Sequence, residues 1–328
     1  MRLEAINLQS MGDLTWERRR SAVVNDLRWG NMKLDTISLQ QAGDQTARTV
    51  PQSPFLAESE PKGMPAPSAR AARPVLPAIC LQNVDVTFST EAGPVKALSG
   101  VNLTVKKEEF VSIVGPSGCG KSTILRIASS LIHPSSGEVT VLGSDAEEAR
   151  LNHSFGFVFQ SSVMLPWLTA LENVQLPLDV IGTSSGKAPI TPTRLLEMVG
   201  LKGYENLYPR QLSGGMRQRV AIARALSFNP PVLLMDEPFA AVDALTRQKL
   251  HTLLMEIWNN ARKTVLFITH DVYEAVMLSD RVLVMSRSPG RIAAEIPITL
   301  PRPRNQAIKN DPEYQRLCAQ ILDLLMQE

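Results

Sequence analysis

Apolar residues in this chain come in short blocks, and the spacing inside the blocks changes along the sequence. Phe110-Val111-Ser112-Ile113-Val114 is ended by Gly115, and Val232-Leu233-Leu234-Met235 is ended by Asp236-Glu237-Pro238. Phe155-Gly156-Phe157-Val158-Phe159 and the runs at Val265 and Val282 have the same character. Short continuous apolar runs bounded by turn residues predict buried strands. Ile79 to Phe88 and Val101 to Val105 predict strands of an antiparallel edge sheet, and Gly137 to Leu142 adds another. Helical patterning follows Ser122, covers Leu168 to Leu178 and Pro192 to Val199, and resumes after Ser213 through Val220, Ile222 and Leu226. At the end, Tyr314, Leu317, Cys318, Ile321, Leu324 and Leu325 fall on one stripe, which predicts an amphipathic helix docked on the core.

The first part of the chain lacks this order. Pro51 to Pro77 is rich in proline, alanine and serine and reads as a linker. Before it only scattered apolar residues occur, such as Trp16, Leu27 and Trp29, with one basic cluster at Trp16-Glu17-Arg18-Arg19-Arg20. Such a composition cannot offset the entropy of ordering, so residues 1–78 are expected to form a disordered extension, dispensable for chemistry.

The chemistry begins where the first buried strand meets its helix. Gly115-Pro116-Ser117-Gly118-Cys119-Gly120-Lys121-Ser122-Thr123 has the form GxxxxGK[ST], and the strand–loop–helix context makes it a phosphate loop. Its glycines let successive N–H groups converge on phosphate oxygens, and the helix N-terminus adds the positive end of its dipole. Lys121 is placed to reach the terminal phosphates and the Ser122 hydroxyl to ligate Mg²⁺. Cys119 reads as a small tolerated residue rather than a redox switch, because an occupied phosphate loop cancels much of the positive field that activates a thiol.

Two further motifs act on the same substrate. At the carboxyl end of its strand, Asp236 is placed to hold Mg²⁺ and Glu237 to orient or deprotonate an attacking water. Leu212-Ser213-Gly214-Gly215-Met216-Arg217-Gln218-Arg219-Val220 predicts a second anion-binding helix end, with Ser213 as N-cap and two glycines baring backbone N–H groups.

Here the sequence resembles the ATP-binding subunits of ABC transporters, whose signature reads LSGGQxQRV; Met216 stands in place of the usual glutamine. The resemblance runs from about Ile79 to Glu328. It implies an α/β fold: a P-loop NTPase core, mainly a parallel sheet flanked by helices, with an antiparallel β subdomain and an inserted α-helical subdomain at about 161–230. The ATP-binding domain would span 79–300 and a helical tail 301–328. The resemblance also implies roles. Phe88 would stack on adenine, Gln160 would touch Mg²⁺ and sense a permease, Asp243 would serve the loop after the second carboxylate, and His270 would contact the γ-phosphate. Ser213, Gly214 and Gly215 of one subunit would meet the ATP held by another, which implies a dimer, expected to be a homodimer, with two ATP molecules sandwiched between subunits.

Within the family, Leu165 to Val174 and the tail motifs Pro289-Gly290-Arg291-Ile292, Leu300-Pro301-Arg302-Pro303-Arg304 and Asp311-Pro312-Glu313-Tyr314 are similar to nitrate, sulfonate and taurine importer ATPases. The implied partners are membrane permease subunits, touched through Trp167, Leu168 and the helix beginning near Ala170, and indirectly a solute-binding protein. Two departures stand out. Ala240-Ala241-Val242-Asp243 replaces the usual SALD, and Glu108 precedes the first core strand where glycine is usual, so a positive φ there would strain it.

Composition narrows the class further. A net charge of +2 over 328 residues carries no basic excess for nucleic acid, which disfavours the alternative of a soluble ABC-type ATPase working on nucleic acid or ribosomes. Three widely separated cysteines suit a reducing compartment. With no apolar span approaching eighteen residues, the chain is expected to sit peripherally on the cytoplasmic face of a membrane that another polypeptide crosses.

Overall fold

The computed structural model describes residues 76–182 and 190–328; the expected extension and linker lie outside the described residues except for 76–78. Ala78 is already buried, with its N–H bonded to Val105 O at 2.8 Å.

Two sheets carry the fold. Strands β1 (Ile79–Thr90), β2 (Gly93–Val105), β4 (Ser136–Val141) and β5 (Ser144–Asp145) form an antiparallel sheet in the order β2-β1-β4-β5. Strands β3 (Phe110–Val114), β6 (Phe155–Val158), β7 (Val232–Asp236), β8 (Thr264–Ile268), β9 (Arg281–Met285) and β10 (Ile292–Pro297) form a sheet in the order β10-β9-β3-β8-β7-β6. All its pairs are parallel except β9–β10. The sequence pattern anticipates the five parallel strands. It does not mark β10, where half-buried and exposed residues interleave on an edge and no apolar block forms.

The apolar runs are continuous because the central strands are covered on both faces. In β7, Val232 and Leu234 join one core and Leu233 and Met235 the other; in β8, Leu266 and Ile268 face opposite to Val265 and Phe267. The first core lies with the antiparallel sheet and helix α1 (Lys121–Ala128). The second lies with α3 (Ala170–Ile181), α4 (Pro192–Met198), α5 (Gly214–Leu226) and α6 (Ala244–Ala261). The short helix α2 (Ala146–Leu151) packs on β4 and β5. A third core joins β9 to α7 (Val272–Leu278) and the tail helix α8 (Pro312–Gln327), which buries Tyr314, Leu317, Cys318 and Ile321 as the stripe predicts.

The tail also ties down the end of α7. The buried Arg304 guanidinium donates to the carbonyls of Val276 (3.2 Å), Met277 (3.3 Å) and Ser279 (2.5 Å), and to Leu300 and Ile298. Arg302 donates to Leu278 O at 2.7 Å, pairs with Asp280 and lies 4.1 Å over the Trp258 ring. These bonds satisfy carbonyls that a helix end leaves without intrahelical donors. Upstream, Glu108 adopts φ +64°, the positive value its position before β3 called into question.

Lys263 joins the entries of β7 and β8, donating from Nζ to Asn229 Oδ1 (2.7 Å) and Pro230 O (2.5 Å). Burial pushes its ammonium down from an ordinary value near 10.5 to about 8. The unfolded chain therefore binds more protons than the folded chain between those two values, and this group's contribution to stability rises with pH across that window. Unfolding free energies of the wild type minus those of Lys263→Met should rise by about 1–3 kcal/mol from pH 8 to pH 10.5. A flat difference would contradict the buried charge.

Candidate nucleotide site

Five consecutive buried residues of β3 run into the loop 115–120, which α1 then closes. The glycines answer separate demands. Gly118 and Gly120 have φ of +77° and +99°, where side chains are strained. A Cβ on Gly120 would sit 2.6 Å from the Leu98 side chain of β2, so the antiparallel sheet presses directly on the loop. Gly115 has no room either: a Cβ there would meet Met285 Cβ at 3.0 Å and the Cys119 sulfur at 3.1 Å. Cys119 is buried and its sulfur fills this space. Gly120 caps α1 without a side chain, and no acid occupies the first turn, so nothing in the local sequence competes for its backbone N–H groups. Lys121 folds back over the loop, donating from Nζ to Gly115 O (2.8 Å) and Pro116 O (2.7 Å).

Across from the loop, β7 ends in the two acids. Asp236 is 5% exposed, and its Oδ1 has no hydrogen-bond partner among the described residues. Burial pushes its carboxyl up, and a bond from the Ser122 hydroxyl offsets this only in part. A buried carboxylate oxygen without a donor, beside a hydroxyl and a phosphate loop, is a donor set that suits a hard divalent cation. Ser122 and Asp236 therefore fit Mg²⁺. Glu237 turns out of the strand with φ +44°, its N–H bonded to Ile268 O at 3.0 Å. Its Oε2 accepts from Gln160 Nε2 at 3.3 Å and lies 3.2 Å from His270 Nδ1. Three residues from three different strand ends thus meet at one carboxylate. The Glu237 side chain is 19% exposed and that of His270 66%, so the cluster faces outward from the sheet edge.

The signature segment forms the second helix end. Ser213 caps α5, its Oγ accepting from Met216 N at 3.2 Å, and Gly214 and Gly215 form the first turn. A Cβ on Gly215 would lie 2.9 Å from Ala241 O, so this turn is packed against the loop that leads to Asp243. Asp243 caps α6 through Thr246 N (3.0 Å), and that bond holds its carboxyl below the usual range. Among the described residues no hydrogen bond or ion pair joins Ser213, Gly214, Gly215 or Asp243 to the phosphate loop. The sequence-marked residues therefore fall into two groups: Lys121, Ser122, Asp236, Glu237, Gln160 and His270 at one sheet edge, and the Ser213 and Asp243 segments beside each other. Phe88, 40% exposed, pairs with Val95 in the hairpin whose Leu98 presses on Gly120.

One sequence expectation needs correction. Leu168 is 3% exposed and packed into the core, so it cannot be a surface for a membrane partner; Ala170 at the head of α3 is buried too, while the helix beyond it keeps half-buried positions such as Leu171, Gln175 and Leu176. Trp167 is half-buried.

The contacts of two residues were missed. Gln218, part of the signature string, is buried in α5 and donates to Phe159 O at 3.1 Å, linking the signature helix to the residue before Gln160; the motif marks the residue and not this contact. Gly290 wedges against the phosphate loop, where a Cβ would lie 1.9 Å from Cys119 O, and it exchanges backbone bonds with Ala97 and Ser99. The sequence places Gly290 in a tail motif and gives no sign of this contact.

Comparison with known proteins agrees with this geometry. The family described as ABC transporter matches residues 98–240. The bicarbonate transport ATP-binding protein CmpD of Synechococcus elongatus is 44% identical over 253 residues, covering 76% of this chain and 90% of that protein. The nitrate import ATP-binding protein NrtD of the same organism is 43% identical, covering 74% and 89%. The dimeric structure of the bacterial ABC transporter cassette MJ0796 superposes with a TM-score of 0.60 at 39% identity, covering 68% of this chain and 99% of that one. Its post-hydrolysis state with ADP and Pi gives 0.61.

Gly290→Ala should displace Cys119 and weaken ATP binding by at least about tenfold, since a methyl in that space forces backbone to move. Nucleotide titration of the folded variant checks this, and unchanged affinity would refute the wedge.

Proposed function

The chain belongs to the ABC transporter family, as an ATP-hydrolysing subunit of an importer, and on that premise we propose how its site works and what it helps to carry. The meeting of Gln160, Glu237 and His270 at one carboxylate carries the reading.

The phosphate loop from Gly115 to Thr123 cradles the phosphates of ATP with backbone N–H groups, and Phe88 offers its exposed ring to the adenine. Lys121 exchanges its loop carbonyls for phosphate oxygens. Ser122 and Asp236, with Gln160 nearby, would hold Mg²⁺, which when bound would neutralise charge on the phosphate oxygens. Glu237 accepts the proton of the attacking water, and His270 steadies the carboxylate and the γ-phosphate from the other side. Ser213, Gly214 and Gly215 form a second helix end, bonded to no part of the phosphate loop among the described residues, that would take the ATP of a second copy, with Asp243 beside them. The dimeric cassette structure supports that arrangement.

Coupling runs through Gln160. Next to it lies a groove of about 340 Å³ lined mainly by apolar side chains, among them Phe157, Phe159, Leu176 and Val180, and also by His153 and Arg224, and we assign it to a helix of the permease. Gln160 stands between this groove and Glu237, so it can report the state of the site to the partner. Among the described residues no helix is long and apolar enough to cross a membrane. We assign the chain a peripheral place on the cytoplasmic face, beside a permease that supplies the membrane path. The cargo is a small oxyanion. Relatives named for bicarbonate and nitrate support that class, alongside the sulfonates and taurine suggested by the tail motifs.

Glu237→Gln should bind ATP and lose hydrolysis by roughly 10²- to 10⁴-fold. The same protein should run as a dimer with Mg-ATP and as a monomer with ADP on size exclusion. Near-normal turnover would remove Glu237 from the role of base, and a monomer under both conditions would exclude the ATP sandwich. For the cargo, deletion of the gene should abolish uptake of at least one of bicarbonate, nitrate, taurine or an alkanesulfonate. Unchanged uptake of all four in a strain without redundant systems would defeat that assignment and leave the ATPase intact.

A further inference from the structure

His251 takes no part in the site described above, yet it touches both segments that build it. It lies on α6, two turns beyond the Asp243 cap, and is almost wholly buried. Its Nε2 is 2.6 Å from Oε1 of Glu274, itself buried in the first turn of α7. Where the carboxyl is a carboxylate it only accepts, and the imidazole Nε2–H is the donor. Glu274 N bonds to Asp271 Oδ1 at 3.2 Å, and Asp271 follows His270 directly, so the grip on Glu274 is a grip on the head of the helix that His270 leads into. The other face of the contact is aromatic. The His251 ring meets Phe239 edge-on, with centroids 5.0 Å apart at 66°. Phe239 is two residues past Glu237, and its ring also lies 5.8 Å from Phe267 of β8. One imidazole thus holds the peptide that carries Glu237 and the peptide that carries His270, whose side chains stand 3.2 Å apart at the sheet edge.

We infer that His251 is a positioning residue for hydrolysis: by bonding Glu274 and packing on Phe239 it sets the distance and angle between Glu237 and His270. It is not a catalytic residue, since it reaches neither of those side chains. Displacements of about 1 Å at a reacting centre can lower rate about 100-fold while leaving binding intact. ATP binding rests on the phosphate loop, Lys121 and Phe88, none of which His251 touches, so its loss should appear in kcat and not in KM. The inference rests on the roles proposed above for Glu237 and His270.

The test uses the full chain, with kcat, KM for Mg-ATP and thermal unfolding measured for three variants. His251→Leu should lower kcat by about 10- to 100-fold with KM within about twofold. His251→Gln, whose amide can still donate to Glu274, should recover most of kcat. Phe239→Leu, which removes the ring contact and keeps the hydrogen bond, should lower kcat with KM unchanged. Normal kcat in folded His251→Leu overturns the inference, as does failure of the glutamine to rescue, or a rise in KM in step with the fall in kcat. Should His251→Leu not fold, Phe239→Leu decides: loss of kcat at constant KM supports the inference and unchanged kcat overturns it. If Glu237→Gln retains turnover the underlying roles fail; if it loses turnover while His251→Leu does not, only this inference fails.

Discussion

Every chemical group in this protein depends on how closely backbone can be packed around the loop between β3 and α1. A triphosphate is held mainly by N–H groups, and these can converge only where side chains are absent on the inside and pressed down on the outside. Leu98 presses from the antiparallel sheet, Met285 from β9, and Gly290 from the turn that follows β9. The loop is therefore the meeting point of two sheets. The second sheet also brings the ends of β6, β7 and β8 to the same edge, where Gln160, Glu237 and His270 come together.

Electrostatics follows from the same crowding. Asp236 lies in a space where its own charge is disfavoured, which fits a group that awaits a cation. Arg304 meets a comparable loss of water, and burial pushes it down to about 10, but it is surrounded by the carbonyls at the end of α7. One buried group keeps an oxygen with no hydrogen-bond partner among the described residues, and the other is saturated. The first lies beside the phosphate loop, the second in the scaffold that holds the helix following His270.

The parts of the fold that were legible in the sequence are those with local causes. Apolar runs announced the parallel strands because both faces of each are covered, and the tail stripe announced α8. The site residues were legible because each motif follows a strand end or starts a helix. What escaped depends on neighbours distant in sequence. Gly290 is special only because Cys119 lies against it, and Gln218 only because Phe159 O faces it. His251 reads as one polar residue on an amphipathic helix until Glu274 and Phe239 are seen around it. Leu168 was misread for the converse reason: an apolar residue beside a motif looked like an interface, and burial in its own core had claimed it.

The strand order has a consequence for how the protein is made. β3, which leads into the loop 115–120, is the third of the described strands in chain order, yet it lies between β8 and β9. Its pairing partners end at Ile268 and Met285, and Gly290 follows. During translation Leu98 is already present, but the loop waits for more than half of the described chain to emerge before β8 and β9 can flank β3, and such long-range pairing is slow to form. A nascent chain halted before β9 would display each motif from the phosphate loop to His270 and still lack Met285 and Gly290, two of the three residues that crowd the loop.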